Sequence, residues 1–423
     1  MKKMTPPAPW PVFAEDEISA VTAVLRSGQV NYWTGDLCRQ FERAYAEYAD
    51  TKYAVAVSNG TVALELALYA LGIGAGDEVI TPSRTYIASA SCAAVRGAVP
   101  VVVDVDPVSQ NICPRAIRAA ITPRTRAIIA VHLAGWPCDM DAIMAIADEF
   151  DLKVIEDCAQ AHGATYRGVP VGSLGHAAAF SFCQDKIVST GGEGGMLTTN
   201  DERAWERAWA YKDIGRSYDA VYRRQHPPGF RWLTESFGTN WRMTEMQAAI
   251  GLLQLSKLNG WIEKRTKYAL MLTRAFMNVA SVRLTRPPPY IRHAYYKYYV
   301  FVEPQQLAAG WSRDRIVAEL SALGVPCFVG SCSEIYLEKA FDSVPGRPSK
   351  RLPVARELGE TSLMFVVHPT LTQEWMQSAV TLIGEVFKLA TRSDAAPRHT
   401  PEPRFSEASR ATTEIGYPVE FIK

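Results

Sequence analysis

The sequence predicts an α/β protein, with a large domain on a mostly parallel seven-stranded sheet and a smaller C-terminal α/β domain. Three observations predict it. Apolar residues make up 48% of a 423-residue chain, enough for a substantial core. From residue 53, short apolar runs alternate with stretches of helical periodicity, the pattern of βαβ units whose sheet is covered on both faces. Seven runs read as strands: Tyr53–Val57, Glu78–Thr81, Val99–Val105, Ala127–Val131, Lys153–Glu156, Ala177–Phe182 and Met196–Thr199.

In chain order, residues 1–15 are proline-rich and read as an arm. Glu15–Ser27 has helix periodicity. Gly28–Gly35, GQVNYWTG, reads as a loop carrying aromatics of exposed type. Asp36–Tyr48 is helical again, with Leu37, Phe41, Tyr45 and Tyr48 on one face. Between the strands, helices are expected over Val62–Leu71, Ile87–Arg96 and Met140–Phe150. Asp201–Asp213 reads as a helix capped by Asn200 or Asp201. Tyr218–Thr239, rich in Arg, aromatics, Pro and Gly, reads as a long loop near a site. A long helical stretch, Trp241–Met277, follows. Beyond it, Tyr295–Val302 is the clearest strand and Arg313–Gly324 the clearest helix. Thr391–Lys423 is polar and aperiodic, and reads as a tail, disordered or docked on a surface.

Composition excludes several classes. Lys plus Arg is 45 against 44 acids, a net charge of +1, so no basic field for nucleic acid is expected. No run reaches the length of a membrane span, and the N-terminal stretch has no apolar signal core. Eight cysteines without a CxxC pair read as reduced thiols, so a cytoplasmic protein is expected. Seven histidines show no ligand spacing, and no metal site is expected.

Three stretches carry chemistry. In FSFCQDKIVSTGGEGGM, Phe180–Met196, Lys186 sits between two buried strands beside a glycine cluster. A lysine held out of water is a nucleophile and a base, although a surface lysine in a glycine loop reads equally well. KVIED places Asp157 at the carboxyl end of a strand, where open α/β sheets bind ligands; a helix cap is the structural alternative. SNGT, Ser58–Thr61, opens a helix whose free N–H groups suit an anion. A phosphate site, an acid and an activated lysine together suit pyridoxal phosphate. GIGAGD, Gly72–Asp77, follows a helix and reads as its C-cap rather than a dinucleotide fingerprint. Cys158 and Cys183 read as small buried filler.

These stretches resemble the nucleotide-sugar aminotransferases of the DegT/StrS type, on the aspartate-aminotransferase fold. The resembling residues are Ser58–Thr61, Glu156–Ala164, Ser181–Gly195 and Gly238–Gly251, in order, within a match over roughly residues 8–388. The resemblance implies an arm (1–15), a large cofactor-binding domain (16–260), a small domain (261–390) and a tail (391–423). It implies pyridoxal 5′-phosphate, cycling through pyridoxamine phosphate, and a homodimer with shared active sites. Lys186 resembles the Schiff-base lysine, Asp157 the partner of the pyridine nitrogen, and Gln160 the amide on the phenolic oxygen. Gly60, Thr61 and Ser181 resemble phosphate ligands, and Tyr86 the aromatic that stacks on the ring, although plain core also suits that tyrosine. Asn240 matches a residue that crosses to the neighbouring subunit's phosphate; its alternative is a helix N-cap. His162, Arg216, His293 and Tyr295 are candidate substrate contacts, with a structural role as strong a reading for His162. Arg216 and Arg231 lie in the variable loop. The implied substrates are a nucleotide-diphosphate keto-sugar and glutamate, and the implied setting is amino-sugar and polysaccharide biosynthesis. The alternatives are a sugar dehydratase using the same cofactor, whose relatives carry His at the lysine position, and a non-catalytic regulatory protein of the same fold.

Overall fold

A computed structural model describes residues 3–395. Of the expected tail, 391–423, all but the first five residues lie outside the described residues. Helices α1 (Glu15–Ser27) and α2 (Leu37–Tyr48) lead into β1 (Tyr53–Val57), α3 (Gly60–Ala70), β2 (Glu78–Pro82), α4 (Ala88–Val95) and β3 (Val99–Val103). Then come α5 (Pro114–Ala120), β4 (Thr125–Val131), α6 (Met140–Phe150), β5 (Lys153–Asp157) and the short β6 (Thr165–Tyr166) and β7 (Val169–Pro170). β8 (Ala177–Ser181), β9 (Gly195–Thr199), α7 (Glu202–Lys212) and the 32-residue α8 (Glu245–Phe276) follow.

The seven runs expected as strands form one sheet, in the order β1-β9-β8-β5-β4-β2-β3. The five strands from β8 to β3 pair in parallel, and β9 runs antiparallel between β8 and β1. Every residue of β2, β8 and β9 is buried, so these strands show no alternation of apolar and exposed polar positions. Their flanking helices are capped locally: Asn59, Asp139 and Asp201 accept from the first-turn N–H groups of α3, α6 and α7.

The chain continues through β10 (Val282–Arg283), β11 (Ile291–Arg292), β12 (Tyr298–Val302), α9 (Arg313–Ala322), β13 (Cys327–Phe328), α10 (Pro353–Thr361), β14 (Ser362–Phe365) and α11 (Gln373–Ala390). A second, four-stranded antiparallel sheet runs β10-β12-β14-β13. Its core joins Leu272 and Phe276 of α8 to Val300, Ile316, Leu363, Ile383 and Phe387. A third ladder, β11-β6-β7, ties this part of the chain back to the large sheet.

Four expectations need correction. The strand expected over Tyr295–Val302 begins at Tyr298, because Tyr295 has φ 47° and the N–H groups of Ala294 and Tyr296 bond the carbonyls of Gly135 and Ala134. The aromatics of residues 28–35 are not of exposed type. Tyr32 is 1% exposed, donates to Glu42 at 3.1 Å and lies 3.8 Å under the Lys212 ammonium. Lys212, fully buried, pairs with Glu42 at 2.8 Å, and Glu42 also accepts from Ala56 N–H, so the ion pair is well satisfied. The long loop opens with a π-type turn over Asp219–Arg223, where Tyr218 and Tyr222 pack on Trp209. Finally, the cap of α8 is Thr244, in a capping box with Gln247, so Asn240 is not that helix's N-cap.

Candidate active site

Lys186 lies in the turn between β8 and β9. Its backbone is fixed from two sides. Its N–H donates to Cys183 O at 3.1 Å, and its carbonyl accepts from the indole of Trp10 at 2.8 Å. Trp10 belongs to the N-terminal arm, which is held at two further points: Met4 N–H bonds Leu323 O, and the Trp375 indole bonds Thr5 O. The Lys186 side chain is 16% exposed. Its Nζ stands 3.5 Å from Asp185 Oδ1 and 5.3 Å from the centroid of the Tyr296 ring. Asp185 Oδ2 accepts from the Tyr296 hydroxyl.

Asp157 ends β5 in the middle of the sheet and is 6% exposed. Its Oδ2 accepts from Ser89 at 2.7 Å and its Oδ1 from Ala159 N–H at 3.2 Å. It makes no ion pair among the described residues. Burial pushes its carboxyl above the usual range, against the pull of Ser89, Ala159, Lys186 and His132. Three residues on, Gln160 Oε1 accepts from Ala134 N–H at 2.7 Å, which leaves its amide N–H groups to donate. The phosphate-type end is compact. Gly60 opens α3 so close to Ser181 that a Cβ there would stand 2.5 Å from the serine Cβ. Asn59 and the helix ladder take the N–H groups of Val62 and Ala63, so those of Gly60 and Thr61 stay outside the ladder. The ring of Tyr86, which precedes α4, is 69% exposed.

These residues fit pyridoxal phosphate. A buried carboxylate without a countercharge suits a cationic ring nitrogen, a free amide donor suits the ring oxygen, and a cradle closed to a Cβ suits a phosphate.

His162 does not fit the substrate role. It is fully buried, its Nδ1 accepts from the Tyr45 hydroxyl at 2.7 Å, and its Nε2–H donates to Ser181 O at 2.9 Å. Burial lowers its pKa to about 4, so it is a neutral brace under the end of β8. Arg216 is half-buried, 3.5 Å from Asp213 and over the Trp33 ring. Arg231 is exposed in the loop, next to the exposed Trp232. Asn240 is exposed, and its side chain has no partner among the described residues. His293 and Tyr295 stack at 4.1 Å beside Ala134, and burial lowers His293 to about 3 and raises Tyr295 to about 12.

The chain over 291–297 reaches this position because Gly135 allows it. With φ 94°, a Cβ there would meet the Cβ of Ala294 at 2.9 Å. Ser89, Trp10, Gly135, Lys297 and Arg265 carry no motif in the sequence, and their places follow only from long-range contacts. His132, Glu156 and Cys158 lie close enough to suggest a metal site. The His132 ring nitrogens, however, are bonded to Glu156 and Cys138 N–H, and Glu156 accepts from Gly172, Leu174 and Gly175.

Against known proteins, residues 11–383 match the DegT/DnrJ/EryC1/StrS aminotransferase family. The X-ray structure of an aminotransferase from Psychrobacter cryohalolentis is 57% identical and superposes with a TM-score of 0.88, covering 90% of this chain and 99% of that one. GDP-perosamine synthase of Caulobacter vibrioides is 43% identical over 290 residues, 68% of this chain and 74% of its own. dTDP-3-amino-3,4,6-trideoxy-alpha-D-glucose transaminase of Streptomyces venezuelae is 35% identical over 378 residues, 89% and 93% of the two chains.

Proposed function

The chain belongs to the DegT/DnrJ/EryC1/StrS aminotransferase family, and from that premise we propose that it is a pyridoxal-phosphate-dependent transaminase converting a nucleotide-linked keto-sugar to an amino-sugar, with glutamate as amino donor. The observation that carries the reading is the buried Asp157 carboxylate, unpaired at the end of β5, in the field of Lys186. The relatives named for GDP and dTDP sugars support the substrate class. A lysine at position 186, not a histidine, favours transamination over dehydration.

Pyridoxal phosphate, when bound, supplies an electron sink for the carbon that gives up its proton. Lys186 would hold it covalently through Nζ and, once displaced, carry that proton as base and then as acid. Asp157 would keep the ring nitrogen protonated, and Gln160 would donate to the ring oxygen. Tyr86 would cover one face of the ring. Gly60, Thr61 and Ser181 would take the phosphate, with Asn240 arriving from a second copy of this chain. Residues 16–260 would form the cofactor-binding domain and 261–390 the small one. Among the described residues no helix is long and apolar enough to cross a membrane, and the proposed location is the cytoplasm.

The holoprotein is expected to change its visible absorbance on mixing with L-glutamate and to release 2-oxoglutarate. No spectral change with any amino acid would overturn the reading. The shared site has its own test, since Asn240 does not cap α8 and its side chain has no partner among the described residues. Lys186→Ala and Asn240→Asp, each inactive alone, are mixed under subunit exchange. A mixed dimer has one site with both defects and one with neither, so activity should return. No return despite demonstrated exchange, or a fully active monomer, would refute the shared site.

A further inference from the structure

A second amine lies close enough to Lys186 to feel its charge. Lys297 lies just before β12, carried there by the same contacts to Gly135 and Ala134 that position Tyr295. It is partly buried, and its Nζ stands 4.8 Å from the centroid of the Tyr296 ring, which also lies beside Lys186. Among the described residues this ammonium makes no hydrogen bond and no ion pair. Asp185, the acid whose charge bears on it, is committed elsewhere, with one oxygen near Lys186 and the other on the Tyr296 hydroxyl.

Behind it stands a second unpaired cation. Arg265 is 1% exposed and donates through Nη1 to the carbonyls of Tyr295 and Tyr296, while its Nε and Nη2 have no partner among the described residues. Burial pushes the Arg265 guanidinium down to about 9. It also pushes the Lys297 ammonium down to about 8, with Asp185 opposing and Arg265 and Lys186 assisting. His293 and His368 nearby are neutral, each lowered to about 3 by burial. A buried guanidinium and a partly buried ammonium, neither ion-paired among the described residues, are costly, and a bound anion would supply the missing charge. Lys297 lines a narrow cavity of 20 Å³ with Gln110, Leu133, Ala134, His293 and Tyr295. Ala134 is the residue whose N–H holds Gln160, so the cavity adjoins the proposed cofactor end.

We propose that Lys297, backed by the charge of Arg265, binds a carboxylate of the amino donor. The proposal rests on the aminotransferase reading. The other anion that reading supplies is the diphosphate of the nucleotide sugar, and the nucleotide affinities tell the two apart.

The test compares wild type with Lys297→Met, which keeps length and loses charge, and Lys297→Arg, which keeps the charge. L-glutamate is titrated against the absorbance of the bound cofactor, and GDP and dTDP affinities are measured by calorimetry. In Lys297→Met the half-saturating L-glutamate should rise roughly tenfold or more, the loss of one charged contact. Its saturating rate should stay within about threefold. Lys297→Arg should recover most of the loss, and the nucleotide affinities should match wild type. An unchanged half-saturation overturns the proposal, as does a loss that falls on GDP and dTDP instead, or one confined to the saturating rate. Wild type that reacts with no amino acid would instead bring down the aminotransferase reading itself.

Discussion

Lys186→Ala is expected to give a folded protein that binds pyridoxal phosphate non-covalently and turns over at less than about a thousandth of the wild-type rate. The fold should survive because the lysine is anchored by its backbone. The bonds to Cys183 O and from the Trp10 indole involve main-chain atoms that alanine keeps. The partner left behind, Asp185, has a side chain 57% exposed, so it is not stranded as a buried charge, and it retains the Tyr296 hydroxyl. Cofactor affinity should persist because Asp157, Gln160 and the Gly60–Ser181 cradle lie on other elements. Activity has no such reserve. Among the described residues Lys297 is the other amine beside Tyr296, and it is held on β12's leading edge, away from the turn that carries Lys186. Turnover is measured per folded molecule, with borohydride reduction to check that the cofactor is no longer fixed to the chain. Turnover close to wild type would remove Lys186 from the mechanism.

The sequence made the sheet readable for a physical reason. Parallel strands covered on both faces carry mostly apolar residues, so the VI of β2, the AIIAV of β4 and the AAAF of β8 stand out as runs. Caps were equally local, since Asn59 and Asp201 bond N–H groups two or three residues away. What failed depended on partners far along the chain. Tyr32 reads as exposed in a glycine-bounded loop until Glu42 and Lys212 are brought over it. His162 sits inside a motif, and nothing local distinguishes a substrate contact from a brace between Tyr45 and Ser181. Lys297 was hidden inside a strand-like run, YYKYYVFV, with no local signal to single it out. Its exceptional feature, an ammonium with no hydrogen bond or ion pair among the described residues, is a property of the folded neighbourhood. The same holds for Asp157: its position at a strand end was legible, but its unpaired burial was not.

That unpaired burial sets up the second large effect. Asp157→Asn is expected to lower turnover per folded molecule roughly a hundredfold or more, with little change in the stability of the cofactor-free protein. Two stability effects oppose each other. The amide loses an acceptor, so it keeps the Ala159 N–H bond only if the Ser89 hydroxyl turns to accept from the new N–H, a rearrangement that costs at most about 1 kcal/mol. Against this, the wild-type carboxyl is held above its unfolded value of 3.8 by burial. An acid raised in the folded state binds its proton more tightly there than when unfolded. Stability therefore falls as pH rises through the unfolded value, and the full penalty is present above the folded one. At neutral pH the cofactor-free wild type carries that penalty, and asparagine does not. The cationic ring nitrogen of pyridoxal phosphate would lift the penalty in wild type alone, so adding cofactor should raise the melting temperature of wild type more than that of Asp157→Asn. Thermal melts with and without cofactor, beside turnover per folded molecule, test both halves. A collapse of melting temperature in the cofactor-free variant, with turnover intact, would make Asp157 a structural cap and leave the ring nitrogen without its partner.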